Sequence, residues 1–319
     1  MVHLYIWVGG LGALFFLFAG AASAQQITCG QDTKIQPAEV REVASGVFVR
    51  QGIHALMTNG NQGAIANIGF VVGQNAVAVI DTGGSACDGA RLKAAIAART
   101  NLPIRYVINT HVHPDHIFGN AAFLADKPEF VGHHRLPRAM AMRGEHYLRA
   151  NRERMGAILK TTKIVPPGKT VSDRLLLDLG GRKLVLTAHK TAHTDNDLSV
   201  FDETTGTLWT GDLLFIEHIP VVDGSLTGWL RVLGKLERRQ VERVVPGHGP
   251  VVENWSEGLA RQRRYLERLA SDLRKYIKEG RTMSFAAATA AQSEKPNWTL
   301  FDDYNSRNAT AGFAELEWE

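Results

Sequence analysis

The sequence predicts an α+β protein built from two β-sheets lying face to face, one per half of the chain, with helices on the outside. Three observations carry that expectation. Strand-like segments fall into two groups, each interleaved with helical segments. A Pro166-Pro167-Gly168 break separates the groups near mid-chain. Histidines and aspartates follow the ends of several apolar segments, which would line them along one edge of the sandwich.

Residues 1–24 stand apart. Val8 to Ala22 is apolar and rich in glycine and alanine, and Ala22-Ser23-Ala24 before Gln25 is a small-x-small cleavage signature. The segment reads as a secretory signal peptide, placing the mature protein in the periplasm or outside the cell. Met1 to Tyr5 supplies no lysine or arginine, so an uncleaved anchor is the alternative, although the segment is short for a span. No later stretch is long and apolar enough to cross a membrane, so the mature chain is expected to be soluble. Its 319 residues, 45% of them hydrophobic, suffice for one large domain or two small ones. The division expected is a main domain over 25–280 and a helical cap or tail over 281–319. The net charge is +4, and the basic clusters at Arg238-Arg239 and Arg261 to Arg264 suit a solvated helix face better than a nucleic-acid groove. Cys29 and Cys87 either pair, pinning the mature N-terminus to the body, or stay free; neither has metal-like spacing.

Val43 to Val49 alternates around Gly46 and predicts an edge strand. Residues 51–64 hold His54, Asn59, Gly60, Asn61 and Gly63, the composition of a mobile hairpin loop. Ile65 to Val72 and Ala76 to Ile80 read as strands joined by a Gly73-Gln74-Asn75 turn. Ser85 caps a helix running to about Arg99. Arg105 to Thr110 is a buried strand, Ile117 to Leu124 a short helix, Glu129 to Gly132 a strand and Leu136 to Leu159 helical. In the second half Arg174 to Leu179, Lys183 to Ala188, Ser199 to Asp202, Thr207 to Thr210 and Val241 to Val245 read as strands. Leu226 to Arg239 and Trp255 to Lys278 read as helices.

The most informative stretch is His111-Val112-His113-Pro114-Asp115-His116, four possible metal ligands within six residues at the end of a strand. Packing does not account for such a density, and regular helix or strand spacing would not bring all four to one point, so the stretch reads as a ligand loop. Three more candidates follow apolar strands: His193 in Thr191-Ala192-His193-Thr194-Asp195-Asn196-Asp197, Asp212 after Trp209-Thr210-Gly211, and His248 in Pro246-Gly247-His248-Gly249-Pro250. Singly each could be a turn residue; their shared position at strand ends sets them together.

The succession H-x-H-x-D-H, H-T, G-D and P-G-H-G resembles the metallo-β-lactamase superfamily over roughly residues 40–255. The resemblance implies an αββα sandwich of two mixed sheets holding two metals. It implies that His111, His113 and His193 hold one metal, that Asp115, His116 and His248 hold the other, and that Asp212 bridges them. An aspartate bridge is similar to the glyoxalase II type and departs from the β-lactamases that place a cysteine at the second metal. The runs Gly63 to Phe70, Ala76 to Ser85 and Asn109 to Asn120 resemble exported quinoprotein relay system zinc metallohydrolases, which implies a functional link to a periplasmic quinoprotein dehydrogenase.

Imidazole and carboxylate ligands suit Zn²⁺, two per chain, and two such ions share a hydroxide at neutral pH. Asp115 is the candidate to orient that hydroxide and shuttle its proton. Asp81 and Asp197 are candidates to hydrogen-bond ligand histidines, or are ordinary turn caps. His54, Phe215, His218 and Trp229 are candidates for the substrate pocket, or are packing. The expected reaction is hydrolysis of an ester, lactone, lactam or thioester in a small molecule, with no nucleic-acid partner. A mononuclear iron dioxygenase of the persulfide type and a non-catalytic accessory protein of the dehydrogenase are the alternatives.

Overall fold

The computed structural model describes residues 1–3, 27, 29 and 34–319, so the expected signal peptide lies outside the described residues apart from its first three. In β4 (Val77–Ile80), Ala78 and Ile80 pack toward a second sheet while Val77 and Val79 pack toward outer helices, and all four are buried. A strand covered on both faces reads as a continuous apolar run, which is why Val77 to Ile80 carries no polar residue.

That strand is central to a sheet whose spatial order follows the chain: β1 (Arg41–Ala44), β2 (Val47–Arg50), β3 (Ile68–Val72), β4, β5 (Ile104–Ile108), β6 (Glu129–His133) and β7 (Lys169–Val171). β1 to β4 pair antiparallel and β4 to β7 parallel. The parallel part needs crossovers. The first is α1 (Ala86–Ala97), capped by Ser85, whose hydroxyl accepts from the Asp88 amide. The second is α2 (Pro114–Ile117), one turn running into a 3₁₀ helix over Phe118–Asp126, and the third includes α3 (Leu136–Met155). The second sheet contains β8 (Arg174–Asp178), β9 (Lys183–Ala188), β10 (Leu198–Asp202), β11 (Thr207–Phe215) and β12 (Arg243–His248), antiparallel except for β11 and β12.

The two mixed sheets bury Val47, Val71, Ile80 and Ile108 against Leu184, Leu186, Val200 and Trp209. Arg182 ties them at one end: its Nε donates to Asp202 at 3.1 Å and its Nη1 to the Val72 carbonyl at 2.8 Å. The outer face of the second sheet is covered by α4 (Leu226–Leu236), α5 (Ser256–Lys278), α6 (Met283–Thr289) and α7 (Phe301–Leu316). Leu233, Leu266, Leu269, Leu273 and Phe313 are among the residues buried there. No helix among the described residues is long and apolar enough to cross a membrane. Cys29 and Cys87 are disulfide-bonded, with Cα atoms 5.1 Å apart.

Local expectations differ from the structure in several places, and the strand expected over Val241 to Val245 runs over Arg243–His248. The expected edge strand over Val43 to Val49 is a hairpin, because Gly46 turns the chain at φ +66° between β1 and β2. The ligand loop contains the helical turn Pro114–Ile117, where Pro114 at the first helical position sets φ for the turn. The helix expected over Ile117 to Leu124 is 3₁₀ rather than α. The short strand β7, directly after the Pro-Pro-Gly break, went unread; it pairs with β6, so the break does not separate the two sheets. The strand expected to stop at Thr210 continues through Asp212 to Phe215, with its register broken between Trp209 and Gly211. Gly211 sits at φ +50°, and a Cβ there would lie 2.6 Å from Thr110 Oγ1, so the strand carries a bulge that only glycine fits.

Candidate metal centre

β4 and β5 are parallel neighbours, so Asp81 and the ligand stretch leave the sheet side by side. Thr110 at the end of β5 donates from its amide and its hydroxyl to the two Asp81 oxygens, each at 2.8 Å. The stretch that follows presents His111, His113, Asp115 and His116. From the second sheet, His193 comes from the β9–β10 connection, Asp212 from the bulge of β11 and His248 from the last residue of β12. The structure brings all seven together as two sets, His111, His113, His193 and Asp212 in one and Asp115, His116 and His248 in the other. The ligand atoms of each set lie within 4.8 Å of one another.

The outward nitrogen of every imidazole has a fixed acceptor. His193 Nδ1 donates to the Val221 carbonyl at 2.6 Å, and His248 Nδ1 to the Ile65 carbonyl at 3.1 Å. His116 Nδ1 donates to Asp81 at 2.8 Å, and His113 Nε2 to Asp223 at 3.0 Å. His111 Nδ1 donates to Thr110 Oγ1 at 3.0 Å, since that hydroxyl's own proton is committed to Asp81. Each partner accepts only, or has spent its proton, so each of the five rings, when neutral, turns a lone pair inward. His113 Nδ1 then faces His111 Nε2 at 3.1 Å and His193 Nε2 at 2.9 Å. Three lone pairs at that separation repel unless a cation lies between them. Protons do not relieve the repulsion at His111 and His193: burial holds the first well below the usual imidazole range and the second at about 3.

The second set is differently charged. Burial opposes protonation of His116 and His248, but Asp212 and its fellow carboxylates outweigh it, raising His116 well above its usual range and His248 to about 9. Asp115 falls to about 2: burial would raise it, and His116 and His248 overcome that. Asp212 Oδ2 lies 3.6 Å from His111 Nε2, 3.3 Å from His193 Nε2 and 3.6 Å from His248 Nε2, while Oδ1 lies 3.1 Å from His116 Nε2. It therefore reaches both sets. Asp212 Oδ1 and His116 Nε2 are buried yet out of line for a hydrogen bond, and have no partner among the described residues. Buried polar atoms left this way are costly unless something else satisfies them. Orphaned atoms, inward lone pairs and an all-nitrogen-and-oxygen donor set fit a pair of divalent cations.

Neighbouring backbone is shaped around this cluster. A Cβ on Gly247 would lie 1.9 Å from Asp212 Oδ1, so the residue before His248 must be glycine. Asn67 grips the same turn. Its amide donates to Gly247 O at 2.7 Å, its Nδ2 to Pro246 O and Gly249 O at 2.8 Å each, and its Oδ1 accepts from the Gly52 amide at 2.9 Å.

The cluster opens into a cleft of about 390 Å³ lined by Met57, Ile65, Tyr147, Arg154, Phe215, His218, Tyr304 and Arg307, among others. Phe215 and His218, which the sequence left as pocket or packing candidates, line this cleft. Trp229 does not: it is fully buried on α4, its indole N–H donates to Leu213 O at 3.0 Å, and its ring supports His193 from behind at 5.3 Å. His54 is outside the lining as well and packs edge-on against His218 at 5.8 Å. Asp81 contacts a ligand histidine, but Asp197 does not. Its carboxylate accepts from the Thr194 amide and hydroxyl and braces the turn after His193 instead. Burial pushes Asp197 up to about 8. Asp223, Asn67, Tyr147, Arg154, Tyr304 and Arg307 went unread. For Tyr304, Arg307 and Asn308 a signal existed, since their spacing puts them on one helix face.

Residues 62–248, more than half of the chain, match the family model described as "Metallo-beta-lactamase superfamily". Among solved structures, a metallo-beta-lactamase from Pontibacter korlensis is similar with TM-score 0.58 and 19% identity, over 72% of this chain and 98% of that one. One from Hirschia baltica gives 0.57 and 18% over 72% and 98%, and TMB-1 gives 0.56 and 18% over 73% and 98%. None of the curated proteins matches the chain. At these identities the structural likeness is one of fold, and it agrees with the two mixed sheets and outer helices described above. With the family model spanning every residue from the loop before β3 to His248, the chain belongs to the metallo-beta-lactamase superfamily.

Proposed function

We propose that this protein is an exported dinuclear zinc hydrolase that cleaves an acyl bond in a small ester, lactone, lactam or thioester. One observation carries the reading: five imidazoles with outward nitrogens engaged and inward lone pairs converge with Asp115 and Asp212 on one cluster. His111, His113 and His193 would hold one ion, Asp115, His116 and His248 the other, with Asp212 shared. When bound, such a pair supplies an activated water and polarises the scissile carbonyl. Asp115, on the cleft side of the cluster, receives the proton released as the water attacks and returns it to the leaving group. Burial pushes Tyr304 up to about 12, so its hydroxyl stays protonated and can donate to a substrate oxygen. Leu56, Met57, Ile65, Phe215 and Val221 exclude water around an apolar body, and Arg154 and Arg307 at the same cleft favour a substrate that also bears a carboxylate.

The complete second set favours this reading over a mononuclear iron dioxygenase, which has no use for it. The Cys29–Cys87 disulfide supports export, because such bonds persist in oxidising compartments. Metal analysis of the mature chain is expected to return two zinc ions, followed by turnover in a panel of lactone, thioester and β-lactam compounds that His116→Ala abolishes. One iron per chain, or unchanged turnover in His116→Ala, overturns the reading.

A further inference from the structure

The matched family region ends at His248, yet residues beyond it reach the metal centre. The link is the segment 220–223 between β11 and α4. Its Val221 carbonyl accepts from His193 Nδ1, and its Asp223 carboxylate accepts from His113 Nε2. The same segment is tied to the His193 turn through the backbone, with Asp223 N donating to His193 O at 3.1 Å. Two of the three imidazoles of the first set therefore take their orientation from four consecutive residues with no regular structure of their own.

What fixes those residues is α7. Asn308, fully buried, accepts from the Val222 amide at 2.8 Å and donates to Pro220 O at 2.6 Å, gripping the peptides on either side of Val221. Its Nδ2 also donates to Tyr265 OH at 2.9 Å, Tyr265 donates to Asn305 Oδ1 at 2.9 Å, and Asn305 donates to Ala290 O at 2.9 Å. That buried polar chain anchors the grip to α5 and to the end of α6, and each side-chain member of it is satisfied. One helical position earlier, Arg307 Nη2 lies 3.2 Å from Asp223 Oδ1, while Arg143 of α3 donates to Asp223 Oδ2 at 2.9 Å. Asp223 is thus held on three sides, by two guanidiniums and a ligand imidazole. Two turns further on, Glu315 accepts from Ser225 Oγ and from the Leu226 and Thr227 amides, fixing the start of α4 immediately after the segment.

We propose that α7 is a positioning element for the first metal position, with Asn308 and Arg307 as its positioning residues: Asn308 sets the Val221 carbonyl that orients His193, and Arg307 helps set the carboxylate that orients His113. This rests on the reading above that these histidines hold a metal. No α7 side chain hydrogen-bonds the outer partners of His116 or His248, which are Asp81 and the Ile65 carbonyl. Through hydrogen bonds α7 therefore acts on the first position; its Tyr304 reaches the second only at one remove, packing on His218 beside His248.

The test uses the full mature chain, first stripped of metal and then titrated with Co²⁺, whose visible spectrum reports ligand geometry. The two positions are separated by a His116→Ala background, in which only the first position remains, and a His193→Ala background, in which only the second remains. Asn308→Ala is expected to weaken Co²⁺ binding at the first position by roughly 10–100-fold and to alter its spectrum, the range seen when outer partners of metal ligands are removed. Arg307→Ala is expected to do the same more weakly, since Arg143 still holds Asp223, and Arg307→Lys is expected to restore most of the loss. The second position is expected to be unchanged in all three. Equal weakening of both positions, or unaltered affinity and spectrum at the first in both Asn308→Ala and Arg307→Ala, overturns the proposal. Arg307 is more than half exposed, so its variants keep the fold and the test stands even where Asn308→Ala fails to accumulate. Failure of the parent chain to bind Co²⁺ at all shows before any α7 variant is made, and overturns the metal reading together with this inference.

Discussion

The set of His111, His113 and His193 and the set of Asp115, His116 and His248 meet at Asp212, but different parts of the chain support them. His113 and His193 lean on Asp223 and Val221, in a connection held from the C-terminal helix. His116 and His248 lean on Asp81 and Ile65, both from the first sheet's side of the sandwich. In the first set burial suppresses protonation at His111 and His193, whereas the second has imidazoles drawn toward protonation by carboxylates. The difference teaches that one fold edge can carry two neighbouring sets of candidate ligands on separate scaffolds, with opposite leanings toward protonation. Asp212 reaches from the first set to the second, so its replacement is expected to be the most damaging change. Asp212→Ala is expected to remove both metals and bring turnover to background, beyond the roughly 10–100-fold cost of losing an outer partner. Retention of one tightly bound ion in that variant, by metal analysis after gel filtration, would show that the sets do not depend on a shared ligand.

Titration with protons tests the electrostatic side of the contrast. In the metal-free chain His248 keeps its proton up to about pH 9, so below that pH an incoming cation must displace it. His116 is drawn toward protonation as well, so affinity at the second position is expected to rise at least about tenfold per pH unit between pH 7 and 9. His193 titrates at about 3 and is neutral throughout that range, so the His193 ligand adds no such dependence to the first position. Calorimetric titration of metal into the stripped chain at several pH values reads both slopes. Parallel slopes would erase the distinction.

Asp81→Ala attacks the second scaffold alone. It removes the acceptor that fixes His116 Nδ1 and also frees Thr110, which donates twice to the same carboxylate. Affinity at the second position is expected to fall roughly 10–100-fold, with a smaller change at the first through Thr110 and His111. A larger loss at the first position than at the second would reverse the assignment of Asp81.

Much of this centre is legible in the sequence because the ligands obey a chain rule: each follows or ends an apolar strand or, for Asp212, sits at a bulge within one, and parallel strands deliver their ends to one edge. Asp81 is readable for the same reason, since β4 and β5 run side by side. The outer partners are not. Val221 and Ile65 act through their carbonyls, which any residue supplies, so the side chain carries no mark of the role. Asp223 is a lone acid in a connection, and only the packing of α3 and α7 shows that two arginines close on it. Trp229 misleads in the opposite way. Its nearness to Asp212 in sequence suggests a pocket residue, but the apolar stripe of α4 turns it into the outer core. The strand β11 hides its length behind Gly211, whose positive φ makes a bulge look like a strand end.

Asn67 offers the finest probe of the separation, because it touches no ligand side chain. It holds the turn Pro246 to Gly249 from the side of the first sheet, and the histidine on that turn belongs to the second set. Asn67→Ala leaves the Pro246 and Gly249 carbonyls and the Gly52 amide without their partner. Stability should drop by about 1–3 kcal/mol, the usual cost of an orphaned buried polar group. The backbone bond from Asn67 N to Gly247 O survives the substitution, so the turn is loosened rather than released. Metal affinity at the second position is expected to weaken less than in Asp81→Ala, and at the first position not at all. Thermal unfolding of the metal-free chain and staged metal titration measure the two effects separately. If Asn67→Ala instead loosened the first position as much as the second, the turn carrying His248 would be coupled to the whole centre, and the two scaffolds would have to be treated as one.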